Sequence, residues 1–207
     1  ETEEREAVET MTELIEYYKG IFTILSSCAS RQLEEVTFRR TVIPVQELLD
    51  AAGKYFKKLM KNRSERIELE IESMEAKVIG DVNQLRFLLE NLIDEALTVR
   101  EDGVIRLQAR KDNEYIRFLF TDTRREKSVE ELNQLFYPNL ARMTSGEKGE
   151  LRGTEYLICK QIIRDHDEFA GRRGCRINAE PAEGGGFTAY FTLSLIHISE
   201  PTRQAEI

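Results

Sequence analysis

The chain has 207 residues, of which 41% are hydrophobic and 33% charged, enough for one domain with a buried core and an additional element. Its 30 basic and 38 acidic residues give a net charge of −8, which argues against binding to nucleic acid or to an anionic membrane surface. No apolar run approaches the roughly 18 residues of a transmembrane helix, so we expect no membrane contact within this stretch. The three cysteines match neither a disulfide framework nor a zinc site, which indicates a reducing, cytoplasmic location.

The sequence predicts one long helix over residues 3–37. Apolar side chains recur there at alternating spacings of four and three, as in a heptad seam: Met11, Ile15, Tyr18, Phe22 and Leu25. At about 1.5 Å per residue such a helix spans roughly 50 Å, too long to pack fully on a small domain. We therefore interpret residues 1–38 as a dimerising or signal-transmitting helix. The alternative is an ordinary amphipathic helix packed on its own domain.

The elements that follow alternate between helices and strands. Pro44 is expected to start a helix over 44–61. A strand is predicted over 66–72, where apolar and charged residues alternate, and a second strand over 76–79. Asp81 is a candidate N-cap for a helix over 82–99.

The second half of the chain continues this alternation. Its predicted elements are strands at 104–109 and 115–121, a short helix at 128–136, a polar loop at 138–152, a helix at 154–169 and strands at 174–180 and 187–192. The order predicts an α/β fold, a two-layer sandwich in which one mixed β-sheet carries helices on one face.

Four segments carry motifs beyond this pattern. Residues 78–97 match "gD…L…vl.NLl.NA", and the other three segments are 135–138, 153–166 and 184–191. Together they resemble the ATP-binding (GHKL) domain of sensor histidine kinases, in the superfamily shared with gyrase, Hsp90 and MutL. The resemblance covers about residues 40–192 and implies the Bergerat-type ATPase fold.

The resemblance implies a metal-binding position on the first pocket helix. Glu95 stands where the family has an asparagine that ligates Mg²⁺, so Glu95 is the candidate metal ligand. Its charge would repel a triphosphate by roughly 4 kcal/mol at about 4 Å and an effective dielectric of 20. Asn91, one turn earlier, stands where hydrolysing relatives have a glutamate, so simple ATP hydrolysis is not expected. The alternative is that both residues lie on a solvated helix face.

Asp122 stands where the family has an aspartate that accepts a hydrogen bond from the adenine amino group, although aspartate is also common at strand ends. The family's two following glycines are replaced by Arg124 and Glu126. A side chain at such a position costs strain or moves the loop. We expect Arg124 and Arg125 either to meet phosphate as charges or to close an empty pocket by pairing with Glu95.

The last implied site is the phosphate loop. Gly153 is kept, Thr154 follows it, and Glu155 replaces the next glycine, at a helix start that holds phosphate in the kinases. ATP and Mg²⁺ are thus the implied cofactors, in a pocket whose metal, base and phosphate sites are all altered. No histidine precedes His166, so a phospho-accepting histidine would lie upstream of Glu1, and His166 itself is expected to pack or cap.

Residues 193–207 resemble a translated sequencing adapter and are expected to lie outside the native fold, which leaves 39–192 as the ATPase-like domain. The leading hypothesis is a pseudokinase domain without catalytic residues of its own, which acts through conformation and homodimerisation through the N-terminal helix. A response regulator or another signalling protein is the expected partner. Anchoring of the whole protein in a membrane is compatible with this hypothesis. The alternatives are an active module that phosphorylates a histidine outside this fragment and a protein-interaction module on the same fold.

Overall fold

The computed structural model describes residues 38–137, 154–170 and 173–196. The helix predicted over 3–37 and the loop predicted over 138–152 lie outside these residues. In chain order the elements are β1 (Thr41–Pro44), α1 (Val45–Met60), β2 (Ile67–Glu72), β3 (Lys77–Gly80), α2 (Val82–Ala96), β4 (Gly103–Asp112), β5 (Tyr115–Asp122), α3 (Val129–Gln134), α4 (Thr154–Phe169), β6 (Ile177–Pro181) and β7 (Phe187–Ser194).

Five strands form one mixed sheet in the order β2-β4-β5-β7-β6. β2 runs parallel to β4, and the other neighbours are antiparallel. Side chains alternate between the two faces of each strand, and one face is buried along all three central strands, at Ile105, Leu107, Phe118, Phe120, Ala189 and Phe191. The apolar sides of the helices belong to the same core. The α/β sandwich predicted from the sequence is therefore confirmed.

One predicted strand pairs outside the main sheet. β3 pairs antiparallel with β1, so that Ile43 lies opposite Val78 in a separate two-stranded sheet. β1 was not predicted, because only Ile43 of its four residues is buried and the pattern of alternation is too short to recognise. Pro44 is the N-cap of α1, with an extended ψ of 131°, and the helix itself begins at Val45.

The start of α2 is fixed by its predicted cap. The Asp81 carboxylate accepts hydrogen bonds from the backbone N–H groups of Asn83 at 3.0 Å and Gln84 at 3.2 Å. The helix ends at Ala96, three residues before the predicted end at 99. The last turn ends there because Thr98 folds back, its hydroxyl donating to the Glu95 carbonyl at 2.7 Å.

His166 joins α4 to the start of α2 and is fully buried. Its Nε2 accepts a hydrogen bond from the Asp81 N–H at 3.0 Å, so the ring proton lies on Nδ1 and is donated to the Ile162 carbonyl at 2.7 Å. Gly80 leaves room for the ring, since a Cβ there would lie 2.8 Å from Nε2. The Phe38 ring packs edge-on against the imidazole at 4.9 Å. His166 thus has the packing role expected from the sequence.

The two ends of the described chain meet at β3. β7 continues to Ser194, two residues beyond the predicted end at 192, because Leu193 and Ser194 pair with β5. Leu195 then forms a bridge with Val78.

Among the helices of the described residues, none is both long and apolar enough to cross a membrane.

Candidate functional site

The candidate site lies where β5 ends beside the C-terminal end of α2. Asp122 is the last residue of β5 and is completely buried. Its backbone is held from the other side by the turn between β6 and β7, where Gly186 has a φ of 81°. A Cβ at Gly186 would lie 2.1 Å from the Asp122 carbonyl oxygen, so only glycine allows this approach.

Arg124 binds both oxygens of the Asp122 carboxylate. Its Nε lies 2.8 Å from Oδ1 and one terminal nitrogen lies 2.9 Å from Oδ2. The Arg124 side chain is only 1% exposed and the Asp122 side chain 0%, so the pair is removed from water. Of the two outcomes expected for Arg124, the structure places it inside the domain, although its partner is Asp122 and not Glu95.

Arg125 accounts for the predicted pairing with Glu95. One terminal nitrogen donates to the Glu95 carbonyl at 2.8 Å and lies 3.5 Å from its carboxylate, and Nε lies 3.8 Å from Asp122 Oδ2. The structure therefore brings three predicted site residues together, with Arg125 as a fourth member.

Glu95 does not lie on a solvated helix face, because only 6% of the residue is exposed. The nearby hydroxyl of Tyr156 on α4 has its pKa raised well above the usual value, first by burial and then by the negative charge of Glu95. Arg125 opposes this shift. The candidate site thus holds the Glu95 side chain near the neutral phenol of Tyr156.

Three arginines bind the last carbonyls of α2. Arg125 donates to Glu95, Arg124 donates to Ala96 at 2.7 Å, and Arg63 donates to Leu97 at 2.6 Å. The helix has no basic residue in its own last turn. Arginines from elsewhere in the chain therefore add donors to its terminal carbonyls and positive charge at the negative end of its dipole.

The remaining predicted residues contribute less to this arrangement. Asn91 is 8% exposed, and its side-chain amide donates to the Phe87 carbonyl one turn earlier at 2.7 Å. Thr154 is the first residue of α4, as the predicted boundary required. Gly153 lies outside the described residues. Their roles in binding phosphate or metal stay predictions.

Two functional residues were missed from the sequence. Arg63 follows α1 in a charged turn, and nothing in its neighbourhood indicates that it reaches the end of α2. Gly103 begins β4 with a φ of 150°, and a Cβ there would lie 2.6 Å from Cγ of Arg124. The sequence shows Gly103 in an Asp-Gly turn. It does not show that a side chain at this position would collide with the Arg124 side chain.

No group of three or more His, Cys, Asp or Glu side chains that would hold a metal ion occurs within residues 38–137, 154–170 and 173–196. Glu95 is the one predicted metal ligand, and its carbonyl and carboxylate both lie beside Arg125.

A model of a known protein family matches more than half of the chain. The model of the "histidine kinase-, DNA gyrase B-, and HSP90-like ATPase" family matches residues 80–197, which include α2, the β5 end and α4. A comparison of the sequence with curated proteins gave no match.

Solved structures of histidine kinases share the fold. Acinetobacter baumannii histidine kinase AdeS is 15% identical, with 92% of this chain and 81% of that chain covered and a TM-score of 0.60. Histidine kinase ThkA, solved in complex with response regulator protein TrrA, is 18% identical over 86% of this chain and 48% of that chain, with a TM-score of 0.64. Full-length ShkA in complex with AMPPNP is 15% identical over 92% and 37%, with a TM-score of 0.66. At these identities the likeness concerns the fold alone.

Proposed function

This chain belongs to the histidine kinase-, DNA gyrase B-, and HSP90-like ATPase family, and on that premise we propose that it is the ATPase-like part of a sensor-histidine-kinase-like signalling protein that binds ATP weakly or not at all. Its output is conformational, passed to another domain or protein. The observation that carries this proposal is the state of Asp122, whose two carboxylate oxygens are both bound by Arg124 inside the domain. An adenine amino group would have to displace a buried guanidinium to reach them.

The charges around Asp122 support the same conclusion. Glu95 places a buried carboxylate where the kinases have a neutral amide, and its charge is opposed by Arg125 at 3.5 Å. Mg²⁺ accepts carboxylate oxygen, so Glu95 alone does not forbid a metal. Both arginines would nevertheless have to leave their present partners before they could bind a triphosphate.

The proposal includes the organisation of the whole protein. Residues 1–38 form the dimerising helix, through which two copies of the protein associate. A response regulator or another signalling protein is the proposed partner, since the fold occurs in ThkA, a histidine kinase solved together with a response regulator.

An active kinase module is the second candidate, and Asn91 favours it. This residue is the one that the kinases have at its position, and the fold of full-length ShkA has been solved with AMPPNP. In this case the domain would phosphorylate a histidine outside the fragment. A protein-interaction module on the same fold is the third candidate and agrees with the internal pairing of Asp122.

Isothermal titration calorimetry with ATP and Mg²⁺ separates these candidates. We expect no saturable heat up to millimolar ATP, in the unchanged chain and in Asp122→Ala alike. The matched control is Asp112→Ala, which removes a carboxylate from a half-exposed ion pair with Arg117. The opposite result is micromolar ATP binding by the unchanged chain that is kept in Asp112→Ala and lost in Asp122→Ala. This result would overturn the pseudokinase proposal and support the active kinase module.

A further inference from the structure

We infer that the acceptor-lined space between the end of β5 and the end of α2 is a binding site for a guanidinium group and that Arg124 is its internal ligand. The inference rests on the proposed function and deepens it, because it names what this space recognises in place of a base. It starts from the atoms that surround the Arg124 side chain.

Every partner of the Arg124 guanidinium is a hydrogen-bond acceptor. They are the two carboxylate oxygens of Asp122, the Ala96 carbonyl at 2.7 Å and the Glu101 carbonyl at 3.3 Å. Each of the three guanidinium nitrogens donates at least once. The partners come from β5, from the end of α2 and from the turn before β4, so they surround the group from three elements.

An acceptor-lined site distinguishes between ligands. Guanidinium carries five N–H donors and no acceptor, and its charge compensates the buried Asp122 carboxylate. A purine offers an amino group together with acceptor ring nitrogens, and it carries no charge. With a purine in place of the guanidinium, the buried Asp122 carboxylate would keep only Arg125, whose Nε lies 3.8 Å away, as a charged neighbour.

The backbone is shaped around the Arg124 side chain. Gly103 lies beside its aliphatic part, where a Cβ would approach Cγ to 2.6 Å. The Arg124 N–H also donates to Asp122 Oδ1 at 3.0 Å, which fixes the start of the side chain over the carboxylate. With 1% of the side chain exposed, the site encloses its ligand.

Replacing Arg124 by alanine and supplying methylguanidine tests the inference. We expect Arg124→Ala to lower Tm by about 10 °C, because the buried carboxylate loses its two-pronged partner and keeps only the longer contact with Arg125 at 3.8 Å. Methylguanidine at ten times its Kd should then raise Tm by about 4 °C in this variant and leave the unchanged chain unaffected. Urea has the same planar shape without the charge and should have no such effect.

Three further variants keep the result decisive. Arg106→Ala breaks an exposed arginine–carboxylate pair with Glu70 at 2.6 Å and should not respond to methylguanidine. Asp122→Ala with Arg124→Ala removes the carboxylate and should abolish the response. Arg124→Ser also empties the site, and its hydroxyl can donate one hydrogen bond to the carboxylate, so this variant serves if the alanine variant does not fold. We expect methylguanidine to stabilise it also.

Equal responses in all variants, or none in both Arg124→Ala and Arg124→Ser, would overturn the inference. So would a larger saturable stabilisation of Arg124→Ala by ATP than by methylguanidine, because the site would then still recognise a base. Failure of the proposed function is a separate result, since it requires ATP binding by the unchanged chain.

Discussion

The turn between β6 and β7 offers two glycines that differ in one respect. Gly184 and Gly186 have similar left-handed φ angles of 87° and 81°. A Cβ at Gly184 would meet nothing within 4 Å, whereas a Cβ at Gly186 would lie 2.1 Å from the Asp122 carbonyl oxygen and 2.7 Å from Thr123 Cα. Replacing each glycine by alanine therefore separates the cost of the backbone conformation from the cost of crowding the end of β5.

The magnitudes follow from these distances. A left-handed φ costs a residue with a Cβ about 1–2 kcal/mol, and the smaller entropy of the unfolded chain returns about 0.4–1 kcal/mol. We expect Gly184→Ala to lower the free energy of unfolding by about 1 kcal/mol. Gly186→Ala must also push backbone atoms apart by about 1 Å in a close-packed region, which adds about 1–3 kcal/mol. Its total loss is therefore about 3 kcal/mol.

Urea unfolding followed by far-ultraviolet circular dichroism measures both losses, since the chain has no tryptophan to report by fluorescence. The comparison is valid if the two variants keep the m-value of the unchanged chain. Equal losses in the two variants would refute the reasoning, because the approach of Gly186 to Asp122 would then carry no energetic weight.

Three other predictions concern other parts of the molecule. Burial lowers the pKa of His166 below 6.5, against the opposing effects of the Ile162 carbonyl, Asp81 and Asp165. The unfolded chain therefore binds the proton more readily, and the stability that His166 contributes above about pH 6.5 is lost as the pH falls through the folded-state pKa. Urea midpoints should then fall more steeply on acidification in the unchanged chain than in His166→Gln, and parallel profiles would contradict this. Ser128→Ala removes the capping box of α3 and should cost about 1 kcal/mol in urea unfolding, whereas a loss near zero would show that the cap is not needed. Sedimentation should show a dimer for the whole chain and a monomer without residues 1–37, and a monomer in both would exclude the dimerising helix.

Local patterns predicted most of the fold because they depend on nearby residues. Ile67, Leu69 and Ile71 alternate with charges at the sheet edge, and Asp81 precedes an apolar helix that it does cap. The pairing of β3 with β1 was missed because it depends on contacts between residues far apart in the chain, such as Ile43 and Val78, which are 35 positions apart. Periodicity alone contains no information on such pairing.

The residues of the site were predicted from the sequence, but the contacts between them were not. The resemblance located Glu95, Asp122 and Arg124, but an arginine in place of a glycine is compatible with pointing outward, toward phosphate or inward. The choice depends on the room left by Gly103 and on the position of the carbonyls at the end of α2, which no local pattern reports. Arg63 was missed for the same reason, since its partner Leu97 lies on another element.

The fastening of α2 at both of its ends has a mechanical consequence. Its 15 residues make a rod of roughly 22 Å. Asp81, at its start, also accepts a hydrogen bond from the Arg39 N–H at 2.9 Å, and three arginines hold its other end. A force on the chain at Arg39 would therefore be transmitted to this helix. A displacement of one helix end by about 1 Å, with the other end fixed, corresponds to a tilt of roughly 3°. Such a tilt would have its pivot at the arginine-bound end of the helix, beside Asp122.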